Sequence, residues 1–259
     1  MSSIEVEVGR ISRIVLNRPD KHNAMTEEMG RLIADAVERI NAHDAARVVL
    51  ISGAGRAFCA GGDFSLIEDS SKRAAEENQR NMVAFYGTFL SVLRLRVPSV
   101  AVIHGAAVGA GLCLALAADV RLAAREAKLG ANFVRVGLHP GMGSSVLLPH
   151  VVGAARAREL ILTGKLVSGE EAERFGLVSR ALPKDELDAA AAECAEQIAT
   201  AAPIAVAQAK ATLSAGLLSE LSAALHREAA NQAIDFGTED LKEAIAAFRA
   251  GRPPSFAGR

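Results

Sequence analysis

The chain has 259 residues, half of them hydrophobic, with a formal net charge of −1. That length suffices for one large domain, or a core with an appendage, that buries a substantial interior. The near-neutral charge, without runs of like sign, gives no electrostatic argument for nucleic acid. Cys59, Cys113 and Cys194 lie far apart, with no C-x-x-C pair and no neighbouring His to complete a zinc set, so no metal is expected and a reduced, cytoplasmic setting fits. The opening MSSIEVEVGR alternates acidic and apolar residues, unlike a signal peptide. No apolar run approaches the roughly 20 residues of a membrane span, so no membrane association is expected.

Residues 4–8 and 11–16 read as short strands joined at Gly9 and Arg10, a hairpin. A polar loop, NRPDKHN, covers residues 17–23. Thr26 then caps a helix whose apolar positions Met29, Leu32, Ile33, Ala36, Val37 and Ile40 recur at the helical period. Residues 47–52 (RVVLIS) read as a buried strand, followed by a glycine-rich loop, RAFCAGGD, at 56–63. Residues 64–80 are polar and expected to be irregular or loosely helical. Met82, Phe85, Tyr86, Phe89, Leu90 and Leu93 mark an amphipathic helix that Pro98 ends.

A β-branched run at 98–103 (PSVAVI) predicts another buried strand. It feeds the stretch from His104 to Asp119, HGAAVGAGLCLALAAD, whose small first half and apolar second half spell a tight turn and a buried helix. A strand at 120–123, a short strand and loop at 128–137, and a helix beyond His139-Pro-Gly-Met-Gly-Ser-Ser145 follow. Ser168-Gly-Glu-Glu171 is a capping box for a short helix, before a strand at 177–181. Pro183 opens a region that reads as helical to Arg249, with breaks expected near Pro203, Gly216 and Gly237. The shift in composition near Ala202 divides a layered α/β core, residues 1–201, from a helical region, residues 202–259.

The two glycine-rich loops are the informative places. Neither is a dinucleotide fingerprint: Leu114 stands where Gly109-Ala-Gly111 requires a third glycine, and Phe58 where Gly53-Ala-Gly55 does. Gly164-Lys165 lacks the rest of a P-loop. A nicotinamide-dependent dehydrogenase is therefore disfavoured. The plain reading of both loops is tight turns and close helix–strand packing. The sharper one is that each follows a buried strand and offers a backbone N–H, at Gly62 and at Ala110. Two such donors converging on one oxygen form an oxyanion hole, which stabilises an enolate or tetrahedral oxyanion by about 3–4 kcal/mol per donor.

Taken together, Asn17-Arg-Pro-Asp-Lys-His-Asn-Ala24, Ala57-Phe-Cys-Ala-Gly-Gly-Asp63, Gly105-Ala-Ala-Val-Gly-Ala-Gly111 with Asp119, and Gly137-Leu-His-Pro-Gly141 resemble the crotonase family of enoyl-CoA hydratases and isomerases. Ala157-Arg-Glu-Leu-Ile-Leu-Thr-Gly164 and Ala172-Glu-Arg-Phe-Gly-Leu-Val178 fit the same pattern, so the resemblance spans nearly the whole chain in order. It implies an α/β fold, a spiral of ββα units with a C-terminal helical trimerisation region, and trimers often paired into hexamers. It also implies an acyl-CoA thioester substrate in fatty-acid or related metabolism, with coenzyme A as part of the substrate and no separate cofactor. By matching position, Gly62 and Ala110 supply the two donors, and Ala60, Asp63 and Phe64 line the CoA channel. Lys21 and His22 either meet the CoA phosphates or are solvated loop charges. The segment from Lys242 to Arg259, with Phe248 and Arg249, either reaches CoA across a subunit interface or is a basic tail.

The resemblance stops at the acids. Hydratases of the family carry two glutamates, which place and deprotonate one water while the α-carbon gains a proton; the matching positions are Cys113 and Phe133. Isomerases and dehalogenases place an acid just after the Gly-x-x-Pro turn, and that position is Gly141. These three residues are expected around the acyl pocket. A thiol among apolar neighbours stays protonated. His139 beside the turn is either a base near neutral pH or a packing residue. Glu68, Glu76 and Glu77 fall in a segment that often walls the pocket. Two function classes follow: an enzyme of enoyl-CoA hydratase or isomerase type with a non-standard or missing general acid/base, or a non-catalytic acyl-CoA binding protein with the same fold.

Overall fold

A computed structural model describes residues 2–259. The first two strands, β1 (Ile4–Glu7) and β2 (Ile11–Leu16), form the expected antiparallel hairpin, with Ile4 opposite Leu16. Helix α1 (Glu27–Asn41) starts at Thr26, whose side chain accepts the Met29 N–H, and buries Met29, Ile33, Ala36, Val37 and Ile40 along one face. The same two-strands-then-helix unit then recurs. β3 (Val48–Gly53) and β4 (Ala57–Cys59) lead to α2 (Phe64–Ser70) and α3 (Ala75–Phe89). β5 (Ser99–Ile103) and β6 (Ala106–Val108) lead to α4 (Ala110–Leu116), and β7 (Val120–Ala124) and β8 (Lys128–Gly130) lead to α5 (Ser144–Thr163). β9 (Val167–Ser168), α6 (Gly169–Arg174) and β10 (Arg180–Leu182) precede α7 (Lys184–Thr200), α8 (Pro203–Asp235) and α9 (Glu239–Arg249).

β1 and β2 share one sheet, and each of the next three units lays its first strand in that sheet and its second in another. The first sheet runs β1-β2-β3-β5-β7-β10, parallel except for β1; the second runs β4-β6-β8-β9. Within the second, β4, β6 and β8 are parallel and β9 is antiparallel. Successive units therefore stack side by side, and the loops that leave β4 and β6 emerge next to each other. All five residues of β5 and all seven of α4 are buried. Such a strand reads as an unbroken apolar run because helices or a second sheet cover both faces.

Residues 64–80 take the helical of their two expected forms: they hold α2 and the start of α3, the former capped by Asp63, which accepts the Ser65 N–H. Three local expectations are corrected. The turn after β5 contains a three-residue strand, β6, whose partners Ala57 and Leu129 are remote in sequence. The strand expected at 177–181 is shorter and displaced toward the C-terminus, at Arg180–Leu182. Gly216 does not break α8, which runs through it; a Cβ there meets nothing within 4 Å, so the glycine costs only its helix propensity, about 1 kcal/mol.

α8 leaves α7 at 107° and packs on α3 and α5. Asp119 ties it to the core: its Oδ2 accepts from Ser99 N (2.7 Å), Ser99 Oγ (2.9 Å) and Lys210 Nζ (2.7 Å), and Lys210 also donates to Val97 O. One apolar cluster includes residues from β1 through Leu241 of α9. No single helix among the described residues is long and apolar enough to cross a membrane.

Candidate functional site

The loop after β4 is built by a buried asparagine. Asn23, fully buried with φ 57°, donates through Nδ2 to the carbonyls of Ala54, Ala57 and Phe58 and accepts the Arg18 N–H on Oδ1. Arg18 in turn reaches Ala24 O (2.6 Å) and Asp63 Oδ2 (2.9 Å). This clamps the polar loop of residues 17–24 onto the glycines. Met25 bridges the far side: its N–H donates to Gly61 O and its C=O accepts from Asp63 N–H, a parallel bridge that skips Gly62 and leaves the Gly62 N–H unengaged.

The second loop turns through Gly109 (φ 57°, ψ −124°), a conformation for glycine, so that Ala110 becomes the first residue of α4. A first-turn N–H has no partner within its helix, and that of Ala110 has none elsewhere among the described residues. The loops are adjacent: a methyl placed on Gly61 would lie 2.9 Å from Val108 O and 3.7 Å from Ala110 N. Gly62 and Ala110 both line one cavity of about 540 Å³. Two free N–H groups at one rim of a cavity can donate to a single oxygen there.

Asp20, Lys21, His22, Ala24, Ala60 and Asp63 form the cavity's polar mouth, with Lys21 and His22 exposed. Burial raises the Asp63 carboxyl's pKa, but hydrogen bonds from Ser65 and Arg18 outweigh it and hold the group below its ordinary value. Phe64 continues the wall and stacks on Phe248 of α9, ring centroids 4.1 Å apart, while Arg249 pairs with Glu68 of α2. The C-terminal segment thus lies over its own chain's cavity; residues 252–259 fold back along α9 through Arg252 to Glu243 and Ala257 N–H to Asp240. Glu68 is turned to Arg249, and neither it nor Glu76 nor Glu77 lines the cavity.

Inside, the chamber is apolar and aromatic, lined by Met82, Phe85, Phe133, Leu138, Met142 and Phe236 among others. Phe133 stands in the wall. Cys113 and Gly141 sit behind it: Cys113 is fully buried with Sγ 3.4 Å from Gly141 O, and burial, reinforced by Glu228, pushes its thiol far above the ordinary value. The polar exceptions in the chamber are Asn132, Gln232 and Tyr86, the sole tyrosine of the chain. Tyr86 O–H donates to Gln232 Oε1 at 2.6 Å, and Gln232 Nε2 donates to His139 O at 2.7 Å. Burial and the nearby Glu228 charge hold the Tyr86 hydroxyl protonated.

One face of α8 holds the loop at 139–145. Glu228, Gln232 and Asp235, at the i, i+4, i+7 spacing of a helical stripe, accept or donate along it in turn. Glu228 takes Gly143 N–H (2.6 Å), Ser145 N–H (2.9 Å) and Ser145 Oγ (2.6 Å); Asp235 takes the His139 N–H. The His139 ring turns into its own loop, Nδ1 2.6 Å from Pro140 O, and does not line the cavity. Sequence reading placed Tyr86 in an apolar stripe and passed over Gln232, Asn23 and the α8 triad. The usable signal was the phenol: a tyrosine on a buried face needs a partner for its O–H. Among the described residues no group of three or more His, Cys, Asp or Glu side chains is placed to hold a metal.

Two sheets wound from ββα units, with free amides of neighbouring loops at the rim of an apolar chamber, define a crotonase-fold protein. The chain belongs to the enoyl-CoA hydratase/isomerase family, whose model matches residues 7–259. A putative enoyl-CoA hydratase of Thermus thermophilus is 35% identical over 98% of this chain and 100% of its own. The 1,2-epoxyphenylacetyl-CoA isomerase of Escherichia coli is 32% identical over 98% and 97%. The crystal structure of an enoyl-CoA hydratase from Mycobacterium avium subsp. paratuberculosis superposes with a TM-score of 0.88 at 30% identity, covering 99% of both chains.

Proposed function

We propose that the chain binds an acyl-CoA thioester with its carbonyl oxygen between the N–H groups of Gly62 and Ala110, and that it works by stabilising the thioester enolate. The observation that carries this is the pair of unengaged amides from adjacent loops at one rim of an otherwise apolar chamber. Fixed donors in a water-poor site gain most where charge develops, and they need no reorganisation when it does. Lys21 and His22 at the mouth face the CoA phosphates, Phe64 and Phe248 flank the pantetheine channel, and the chamber holds the acyl group. CoA enters with the substrate; no separate cofactor takes part. The family's chemistry, enoyl-CoA hydration or isomerisation, is the natural reaction. The unpaired cysteines suit a cytoplasmic setting, and the exposed Ile204, Leu213 and Leu218 of α8 suit burial in a trimer or hexamer.

Among the described residues the acidic side chains lining the cavity are Asp20 and Asp63, both at the mouth and away from the chamber. Cys113 is held as a thiol, Phe133 carries no proton, and His139 is turned into its own loop. That observation favours a second reading, a protein that binds acyl-CoA without turning it over. α-Proton exchange in heavy water, followed by NMR over acyl-CoAs of increasing length, together with calorimetric titration, separates them. Exchange or turnover supports the enzyme; micromolar binding with neither supports the binder; no binding of any thioester rejects both.

A further inference from the structure

We propose that Tyr86 and Gln232 form a hydrogen-bonding subsite that selects acyl groups carrying a neutral oxygen, a hydroxyl or keto group, elsewhere than at the thioester. This deepens the acyl-CoA reading above and rests on it. Both side chains line the chamber, and both are nearly buried, 3% and 4% exposed. The network fixes the amide's orientation, because only its nitrogen can donate to His139 O and only its oxygen can accept from the phenol. After those bonds the amide nitrogen keeps one N–H, and the tyrosine oxygen, which the Met142 backbone N–H also approaches, keeps one lone pair.

An alkyl acyl group cannot use either. It would displace water from the pair and leave buried polar capacity unmatched, whereas an oxygen on the acyl group restores it. A site built to hydrogen-bond an oxygen rejects the analogue lacking it far more strongly than an apolar pocket rejects an extra methylene. The pair is also held in place. A Cβ on residue 141 would lie 2.5 Å from Tyr86 Oη and 2.6 Å from Gln232 Nε2, so Gly141 is the residue that leaves room for it. The partner oxygen is neutral on electrostatic grounds. Among the described residues the one Lys or Arg lining the cavity is Lys21 at its mouth, while the buried Glu228 already opposes a negative charge on Tyr86. A carboxylate at this end would meet repulsion and no counter-ion.

The test is calorimetric titration of matched thioesters differing by one hydroxyl: butyryl-CoA with 4-hydroxybutyryl-CoA, and phenylacetyl-CoA with 4-hydroxyphenylacetyl-CoA. The wild-type protein is expected to bind at least one hydroxylated member about tenfold more tightly than its partner. Tyr86→Phe is expected to bring that ratio near unity. A ratio of unity for both pairs in the wild type, or a ratio that survives Tyr86→Phe, overturns the proposal while leaving acyl-CoA binding intact. Failure of every thioester to bind rejects the underlying reading as well. Should Tyr86→Phe not fold, the wild type supplies its own probe, since the chain has one tyrosine and no tryptophan. Its intrinsic fluorescence must respond differently to the two members of the preferred pair; an identical response overturns the proposal.

Discussion

Replacing Ala110 with proline removes one proposed donor and puts the ring Cδ where its N–H pointed. The Ala110 N–H makes no bond among the described residues, so its loss breaks no native contact. Position 110 is the first residue of α4, where proline is well tolerated because the missing N–H is an orphan in any case. The preceding residue is also compatible. Gly109 at φ 57°, ψ −124° is the mirror image of the extended conformation that residues before proline prefer, and glycine takes either hand. The thermal midpoint should therefore move by no more than a few degrees, a folding change of under about 1 kcal/mol. Turnover should fall by at least about 10²–10³-fold, the cost of one oxyanion donor, because the ring Cδ also crowds the oxygen that the Gly62 amide would hold. Steady-state assays and α-proton exchange on the best acyl-CoA measure it, with denaturation as the control for folding. A folded Ala110→Pro protein with wild-type activity refutes the assignment of the Ala110 amide to the reacting oxygen.

Three further outcomes are expected. Asn23→Ala strands two buried carbonyls, one half-buried carbonyl and one amide and puts alanine at φ 57°, so urea titration should report a loss of about 3–5 kcal/mol; a loss below 1 kcal/mol would mean the loop is held by something else. The folded-state pKa of Asp63 is depressed, so its contribution is present above the unfolded carboxyl value of about 3.9 and is lost as pH falls through the lower folded value. The stability gap between wild type and Asp63→Asn should be full at pH ~6 and shrink toward pH ~3; a gap independent of pH contradicts the linkage. Gly141→Ala should overpack the Tyr86–Gln232 pair and cost about 1–3 kcal/mol, and part of that loss should return in the Gly141→Ala, Tyr86→Phe double variant, as read by thermal denaturation.

The parts of the fold that were legible in sequence are those whose signal is local. Thr26 and the Ser168–Glu171 capping box declare helix starts within four residues, and both operate as expected. β2, β3 and β5 stand out because a buried strand needs an apolar, β-branched run. β6 has no such signal: Ala106-Ala107-Val108 becomes a strand only because Ala57 and Leu129 bring partners from elsewhere in the chain. Gly216 misled for the converse reason, since a helix anchored through Lys210, Leu221 and Glu228 carries one poor helix former without breaking. The same division runs through the site. The loops of Gly62 and Ala110 were readable because glycine spacing is local. The Tyr86–Gln232 bond joins residues 146 apart and follows from how α8 docks on α3, which no spacing rule encodes.

The stripe Glu228–Gln232–Asp235 has a practical consequence for anyone recombining members of this family. The loop at 139–145 takes its shape from a helix some ninety positions downstream, with Met142 held at φ 56° between Glu228's grip on Gly143 and Asp235's on His139. Transplanting that loop alone into a relative would deliver its letters without its conformation. The transferable unit is the loop together with the second half of α8. A crossover placed near Ala202, the natural seam by composition, would separate the two and is the cut to avoid.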